Sequence, residues 1–310
     1  MFAVVVCFHD SQGDEVHLPV MLNPKEQQKA LKEVVYNAES VVANPAQLVS
    51  DIFAEIIAFR GLIWILFLRD LKAQFRQSYL GYIWLFLPPV LTTGVWLFLN
   101  SQKVMVVAET NIPYPLFVII GSVGWQTFVK LIQAPMASFE QGRPVFMKLK
   151  VPPMAFIAAG TARALFDFAI YAAVLIPVFI VFRTMPPWTV LLLPIVVLSM
   201  VSMGTVIGLL LAPFGSLYTD LKIAVPIVLS FLMYLAPVVY PPPQSGLAGV
   251  VVAYNPMTPI LMCTRDLLTT GALDFLPSTV VILVCSGLLS VMGIVGLKVT
   301  MPHLVARMGM

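Results

Sequence analysis

Ionisable side chains are scarce in this sequence. Its 18 Lys and Arg and 15 Asp and Glu make up 11% of 310 residues, less than half the roughly 25% of a soluble domain. With 59% hydrophobic residues and a mean hydropathy of +0.93, an ordinary water-soluble domain is excluded. The net charge of +3 is no nucleic-acid footprint, because the cations sit beside apolar runs rather than among exposed aromatics. Cysteine is nearly missing. Cys7, Cys263 and Cys285 lack metal-ligand spacing and imply no disulfide framework; Cys285 lies in a long apolar run and reads as packing. The histidines, His9, His17 and His303, all fall outside the apolar runs, so no metal site is expected. There is no G-x-x-x-x-G-K-[ST] phosphate loop, no H-E-x-x-H and no G-x-S-x-G. No catalytic residue and no cofactor is therefore expected on this chain. The run Phe2–Phe8 is too short, lacks a cationic start and has no small-residue cleavage site, so it does not read as a secretory signal.

Long apolar runs are what the sequence does have. A bilayer core of about 30 Å needs roughly 20 mostly apolar helical residues. Six segments qualify: Tyr82–Leu99, Pro113–Leu131, Phe156–Phe182, Val190–Leu211, Ile223–Tyr240 and Ser278–Leu297. A seventh, Ile52 to Leu68, holds 11 Ile, Leu and Phe residues, each favouring insertion by about 0.3 to 0.6 kcal/mol. Glu55 and Arg60 oppose that by roughly 5 to 7 kcal/mol. The near balance predicts an interfacial helix rather than a span. With six spans, Arg60, Arg69, Lys72, Arg76, Arg143, Lys148, Lys150, Lys222, Lys298 and Arg307 fall on one side and only Lys103, Arg183 and Arg265 on the other. The positive-inside rule then puts both termini in the cytoplasm.

The expected organisation is all-α, with six membrane helices over residues 82–310, an amphipathic interfacial region over 46–81, and a small soluble cytoplasmic extension over 1–45. In the extension, Phe2–Phe8 and Val16–Leu22 read as a β-hairpin around His9–Glu15. A helix follows, with Asn23 as N-cap, Pro24 in its first turn, Glu26 three residues after the cap, and Leu31, Val34, Val35 and Ala38 on one face. In the interfacial region, Leu68, Leu71, Phe75 and Tyr79 share a face, flanked by a strip of Arg69, Lys72 and Arg76 suited to anionic lipid. On the outer side, the run Leu247–Cys263 is cut by Asn255-Pro256 and Pro259 into pieces too short to cross. This predicts a re-entrant helical pair, whose backbone must be shielded by protein or a water-filled cavity.

Few polar residues fall inside the spans. Lys130, placed at the inner end of the second span, is expected to snorkel. Arg163 and Asp167 stand i, i+4 in the third and read either as a mutually neutralising structural pair or as lining of a polar conduit. Gly204-x-x-x-Gly208 permits close helix packing. Among the aromatics, Trp84, Trp96, Trp125, Phe166, Tyr171 and Tyr234 are conduit candidates, where flat rings would offer a sugar an amphipathic surface; a lipid-facing belt is the alternative.

The order of several strings closely resembles the membrane subunits of ABC-type polysaccharide exporters. The first is Arg69-Asp70-Leu71-Lys72, then Phe75-Arg76-Gln77-Ser78, Leu80-Gly81, Trp84 and Pro88. Next come Tyr218-Thr219-Asp220-Leu221-Lys222 and Ala236-Pro237-Val238-Val239-Tyr240-Pro241, and then Asn255-Pro256-Met257 with Arg265 and Gly271 as the outer re-entrant motif. Lys148-Leu149-Lys150-Val151-Pro152 is similar to the family's basic inner loop, with Val151 in place of an aromatic, Met154 where an acid is common, and Glu140-Gln141 where asparagine is frequent. The similarity runs from about residue 60 to the C-terminus.

The resemblance implies a homodimeric channel in a bacterial inner membrane. Two copies of a separate ATPase, which binds ATP and Mg, would drive it, and a glycan carried on polyprenyl pyrophosphate would be exported. Phe139 as an apolar anchor, with Glu140, Arg143, Lys148 and Lys150 as charges of both signs, suits an inner loop that docks in a cleft on that ATPase; a merely solvated charged loop is the alternative. The anionic carrier would give Arg69, Lys72 and Arg76 a partner beyond bulk lipid. An exporter of teichoic acid, glycolipid or drug is the neighbouring alternative. An integral-membrane glycan-modifying enzyme is the alternative of another class.

Overall fold

The computed structural model describes residues 5–9, 15–19, 54–75, 79, 81, 83–104, 110–146, 153–243 and 245–308. The chain divides into two units, Met1–Asn44 and Pro45–Met310. In the first, β1 (Val5–His9) and β2 (Glu15–Pro19) pair antiparallel, with Val5 opposite Pro19 and His9 opposite Glu15. This is the hairpin the alternating apolar runs predict. The helix expected from Asn23 lies outside the described residues.

The second unit is helical. Its elements are α1 (Arg60–Phe75), α2 (Ile83–Ser101), α3 (Tyr114–Phe146), α4 (Pro153–Val181), a 3-10 turn (Trp188–Leu192) leading into α5 (Leu193–Leu217), and α6 (Thr219–Leu232). A second 3-10 turn (Met233–Leu235), α7 (Gly246–Tyr254), α8 (Met257–Leu268) and α9 (Leu276–Met308) follow. Among the described residues, α2, α3, α4, α5 with its leading turn, and α9 are long and apolar enough to cross a membrane. The bent pair α7–α8 passes the same test only when taken together.

Helix α3 is the pillar of the bundle and by far the most enclosed of the long helices. Lipid is as apolar as leucine, so helices associate in a bilayer through close packing rather than water exclusion. Small residues supply that closeness here. A Cβ on Gly204 would come within 2.5 Å of Leu131 Cβ, and one on Gly208 within 2.4 Å of the Ile132 carbonyl oxygen. The G-x-x-x-G pattern thus marks the α3–α5 crossing. The helix runs on to Phe146, well beyond the expected end at Leu131. Ile132 and Phe139 continue its buried face against α4 and α5. Lys130 is therefore mid-helix and half-buried, not a residue snorkelling at a span end.

The fifth crossing departs from the expected helix. Its helical part, α6, has 14 residues, about 21 Å at 1.5 Å per residue and short of the roughly 30 Å core. Pro237 is the cause: the residue before a proline is driven out of the α region, and Ala236 is extended (φ −112°, ψ 148°). The chain nonetheless tracks α3 from end to end. Lys222 pairs with Glu140 near one end of α3, and the Val238 carbonyl oxygen lies 2.3 Å from where a Cβ on Gly121 would stand. Those two points on α3 are about 28 Å apart along its axis. The crossing is completed by the 3-10 turn and an extended stretch in which Ala236, Val238 and Val239 are fully buried.

Ending a helix at membrane depth leaves carbonyls without partners, and each needs a donor from protein. Four side chains provide them. Tyr240 Oη donates to the Tyr234 carbonyl (2.7 Å), Asn255 Nδ2 to Leu235 (3.0 Å), Arg265 Nη2 to Val238 (2.8 Å) and Tyr114 Oη to Val239 (3.0 Å). Arg265 is buried, also donates from Nε to the Phe117 carbonyl (3.1 Å), and lays its guanidinium carbon 3.7 Å from the centre of the Phe117 ring. It comes from α8, which meets α7 at 81° around Asn255-Pro256. Asn255 Oδ1 caps that bend by accepting from the Met257 N–H (2.9 Å). The pair returns to the end it left: Thr189, just before α5, donates to the Leu267 carbonyl, and Thr279, early in α9, donates to the Pro259 carbonyl. The re-entrant geometry agrees with the sequence reading.

Two outcomes follow from this packing. Gly208→Leu collapses the α3–α5 crossing, whereas Gly287→Leu, on a face of α9 with nothing within 4 Å, leaves thermal stability in detergent near wild type. Equal losses for both would refute close packing as the organiser of the bundle. Arg265→Met leaves the Phe117 and Val238 carbonyls without this donor, at roughly 1.5 to 3 kcal/mol for each charged hydrogen bond. Arg265→Lys, a point charge in place of a fork, recovers only part of this. A fully stable Arg265→Met, judged by its unfolding midpoint, would contradict the capping role.

Candidate functional site

The charged and polar residues singled out in the sequence gather in three places. The first is the surface of α1. Leu62, Ile63 and Leu66 pack with Phe156 and Ala159 of α4 and with Val145 of α3, and Asp70 is buried on the same side. Residues 62, 66, 70 and 74 follow i, i+4 spacing, so this face meets protein, while Leu68 and Leu71 stand on the side of Trp64, away from α4. A two-sided apolar helix needs one face for protein and one for lipid, and Trp64 and Ile65 are exposed on the other side. Helix α1 ends at Phe75, and Tyr79 is fully exposed outside it. Of the basic strip, Arg69 and Lys72 are exposed, but Arg69 is bridged to its neighbour Asp70 through Nη2 (2.8 Å) and Nε (2.9 Å). Arg76 lies outside the described residues.

The second place is a polar cluster inside the bundle. Arg163 Nε donates to Gln74 Oε1 of α1 at 3.1 Å instead of closing a hydrogen-bonded pair with Asp167. Asp167 is buried, with Oδ1 lacking a hydrogen bond among the described residues, and the charges acting on it are those of Lys130 and Arg163. Cations from α3 and α4 thus face one carboxylate, and the guanidinium ties α1 to α4. Gln74, which the sequence reading did not single out, is the missing member. Nothing in its spacing marks it, because its role depends on how α1 crosses α4.

The third place is the Phe146 end of α3. Glu140 forms an ion pair with Lys222 of α6, both partly exposed, and Arg143 is half-buried one turn on. Phe139 is not an exposed anchor. It is fully buried against Met154, Ile157, Leu209 and Ala212, so it joins α3 to α4 and α5. Lys148 and Lys150 lie outside the described residues.

The aromatic candidates separate by burial. Trp125 and Tyr171 are core residues; Trp125 stacks near Phe128. Phe166 packs edge-on to Phe67 of α1 (centroids 6.1 Å). Trp84 and Tyr234 are exposed, and half-buried Trp96 sits beside Tyr234 with centroids 6.4 Å apart, where α2 meets the end of α6. Of the re-entrant motif, Asn255 and Arg265 both act on the fifth crossing, and Pro256 stands at the bend.

Comparison with known proteins agrees with this architecture. The chain is 27% identical over 211 residues to the O-antigen export system permease protein of Myxococcus xanthus, covering 67% of this chain and 80% of that protein. It is 24% identical over 212 residues to the protein of the same name in Klebsiella pneumoniae, with the same coverage. It is 23% identical over 220 residues to the polysialic acid transport protein of Escherichia coli, covering 66% and 80%. Residues 61–268 match the ABC-2 type transporter family. The match stops at the end of α8, short of the C-terminus to which the sequence resemblance was expected to run, and leaves out the first unit and α9. From α1 to the re-entrant pair, this chain belongs to the ABC-2 type transporter family.

Proposed function

We propose that this chain is the membrane-spanning subunit of an ATP-driven exporter that moves a polysaccharide, carried on polyprenyl pyrophosphate, out of the cytoplasm across a bacterial inner membrane. One observation carries the substrate class. Relatives named for O-antigen export and for polysialic acid transport both align over about two thirds of the chain. ATP and Mg belong to two copies of a separate ATPase, since this sequence has no phosphate loop. The Phe146 end of α3, where Arg143 and Lys222 lie and where α1 packs against Val145, is the cytoplasmic side, and both termini lie there.

The structure supports a conduit shared between two copies of the chain. The exposed aromatics Trp84 and Tyr234, with Trp96 beside the latter, stand on the outside of one protomer. A glycan path lined by them needs a second copy facing the first. Asp167, Arg163 and Lys130 lie inside the protomer and serve as its internal brace. For coupling, the ATPase docks where α3 gives way to α4. Phe139 carries the push inward because it is packed in the core, while Glu140, Lys222 and Arg143 form the polar rim. Arg69, Lys72 and Arg76 meet the carrier pyrophosphate beside the first span. Arg76 and Lys72 do so most directly, since Arg69 already bridges Asp70.

Purified alone, the chain shows no ATP turnover; co-expressed with its ATPase it forms a two-plus-two complex that hydrolyses ATP. Turnover by the isolated chain, free of contaminating ATPase, would contradict the assignment. In an export assay with matched membrane levels, Arg76→Lys lowers export several-fold although the charge is kept, because the bidentate fork on a phosphate is lost. Normal export by Arg76→Lys, with a defect only in Arg76→Glu, would make the strip an anchor for bulk anionic lipid at about 1 kcal/mol per cation.

A further inference from the structure

At the Tyr114 end of the bundle, α3, α4, α5 and α8 enclose a groove of about 730 Å³, within the roughly 300–1,000 Å³ of small-molecule sites. Val123, Ala172, Leu175, Ile176, Val197 and Met200 are among the residues that line it, and it touches none of the aromatic conduit candidates. Ile176 and Ile180, which form part of the wall, are strongly exposed, so the groove opens sideways, toward hydrocarbon rather than water. Its mouth is the turn Arg183-Thr184-Met185-Pro186.

Arg183 occupies an unusual position. The Thr184 N–H bonds to the Phe179 carbonyl and the Arg183 N–H to that of Ile180, the Schellman pattern that places the residue after the helix in the left-handed region. Arg183 has φ 52°, where glycine is favoured and other L-residues are strained. The side chain forms no ion pair among the described residues. A cation at a helix C-terminus complements the macrodipole, and Lys103 after α2 is that plain case. It has φ 55° and the same bonding pattern at the same end of the bundle, but it is not part of the groove. Arg183 differs in standing over an apolar slot open to the bilayer.

We propose that this groove is a binding site for an anionic membrane phospholipid, with a hydrocarbon chain in the slot and its phosphate on the Arg183 guanidinium. The match is one of charge and shape: a dry channel open to lipid for the tail, and at its mouth a cation with no ion pair among the described residues for the phosphate. The site does not depend on what the chain exports.

The test is phosphatidylglycerol binding to the purified chain in detergent, read by native mass spectrometry during stepwise delipidation. Wild type retains one phosphatidylglycerol. Arg183→Gly, which removes the guanidinium and the backbone strain together, keeps or raises the thermal midpoint yet binds about tenfold more weakly, a difference of 1.4 kcal/mol. Ala172→Trp fills the slot and loses the lipid as well. Lys103→Gly binds as wild type. Wild-type retention by Arg183→Gly and Ala172→Trp would overturn the proposal. So would equal losses in Lys103→Gly and Arg183→Gly, which would mean general headgroup attraction. Displacement of the bound phosphatidylglycerol by equimolar polyprenyl phosphate would overturn the phospholipid assignment in favour of a carrier lipid.

Discussion

Backbone carbonyls left without partners inside a membrane are the constraint on which this structure turns. Helix α6 stops ahead of Pro237, before it has crossed, and the chain finishes the passage in extended form. Without water, each freed carbonyl must find a protein donor. Tyr240, Asn255, Arg265 and Tyr114 supply one each, to Tyr234, Leu235, Val238 and Val239. These donors come from the same segment, from the re-entrant pair and from the start of α3. The broken crossing therefore cannot form apart from its neighbours. Asn255 and Arg265, in motifs that mark the family resemblance, are explained by this requirement rather than by contact with a transported molecule.

The second organising element is α3. Gly204 and Gly208 let α5 approach its backbone, and Gly121 leaves room for both the Arg265 guanidinium and the Val238 carbonyl. Its length lets one helix connect the Arg265 clamp at one end to the Glu140–Lys222 pair and buried Phe139 at the other. The Phe146 end and the re-entrant pair are thus joined by one well-packed helix. That geometry suits a subunit driven from one face of the membrane by a separate motor.

Much of this was legible in the sequence, and the misses share a cause. Hydropathy located the long helices, and Asn255-Pro256 located the bend of the re-entrant pair, because both depend on local chain properties. Hydropathy also merged α6 with the apolar stretch Ala236–Tyr240 into one helix, since buried extended chain and buried helix are equally apolar; Pro237 was the available signal. Lys130 looked like a boundary because a lone cation usually marks one. It lies mid-helix and half-buried, its charge acting on Asp167 of α4, a proximity between elements that spacing along one helix does not reveal. Phe139 resembled an exposed anchor among charged neighbours, but at i−1 from Glu140 it points to a different side of the helix. The protein-packed face of α1 went unmarked because both its sides are apolar and only the crossing with α4 distinguishes them.

The fifth crossing, made by α6 and the extended chain after it, carries the whole capping network. Single cysteines placed at Asp220 and Pro243 in an otherwise cysteine-free chain, labelled in intact cells by a membrane-impermeant maleimide, test it. Asp220→Cys stays unlabelled until the membrane is permeabilised, whereas Pro243→Cys labels from outside. Labelling of both positions from the same side would mean that residues 219–243 do not cross, and the carbonyl-capping network would lose its reason to exist.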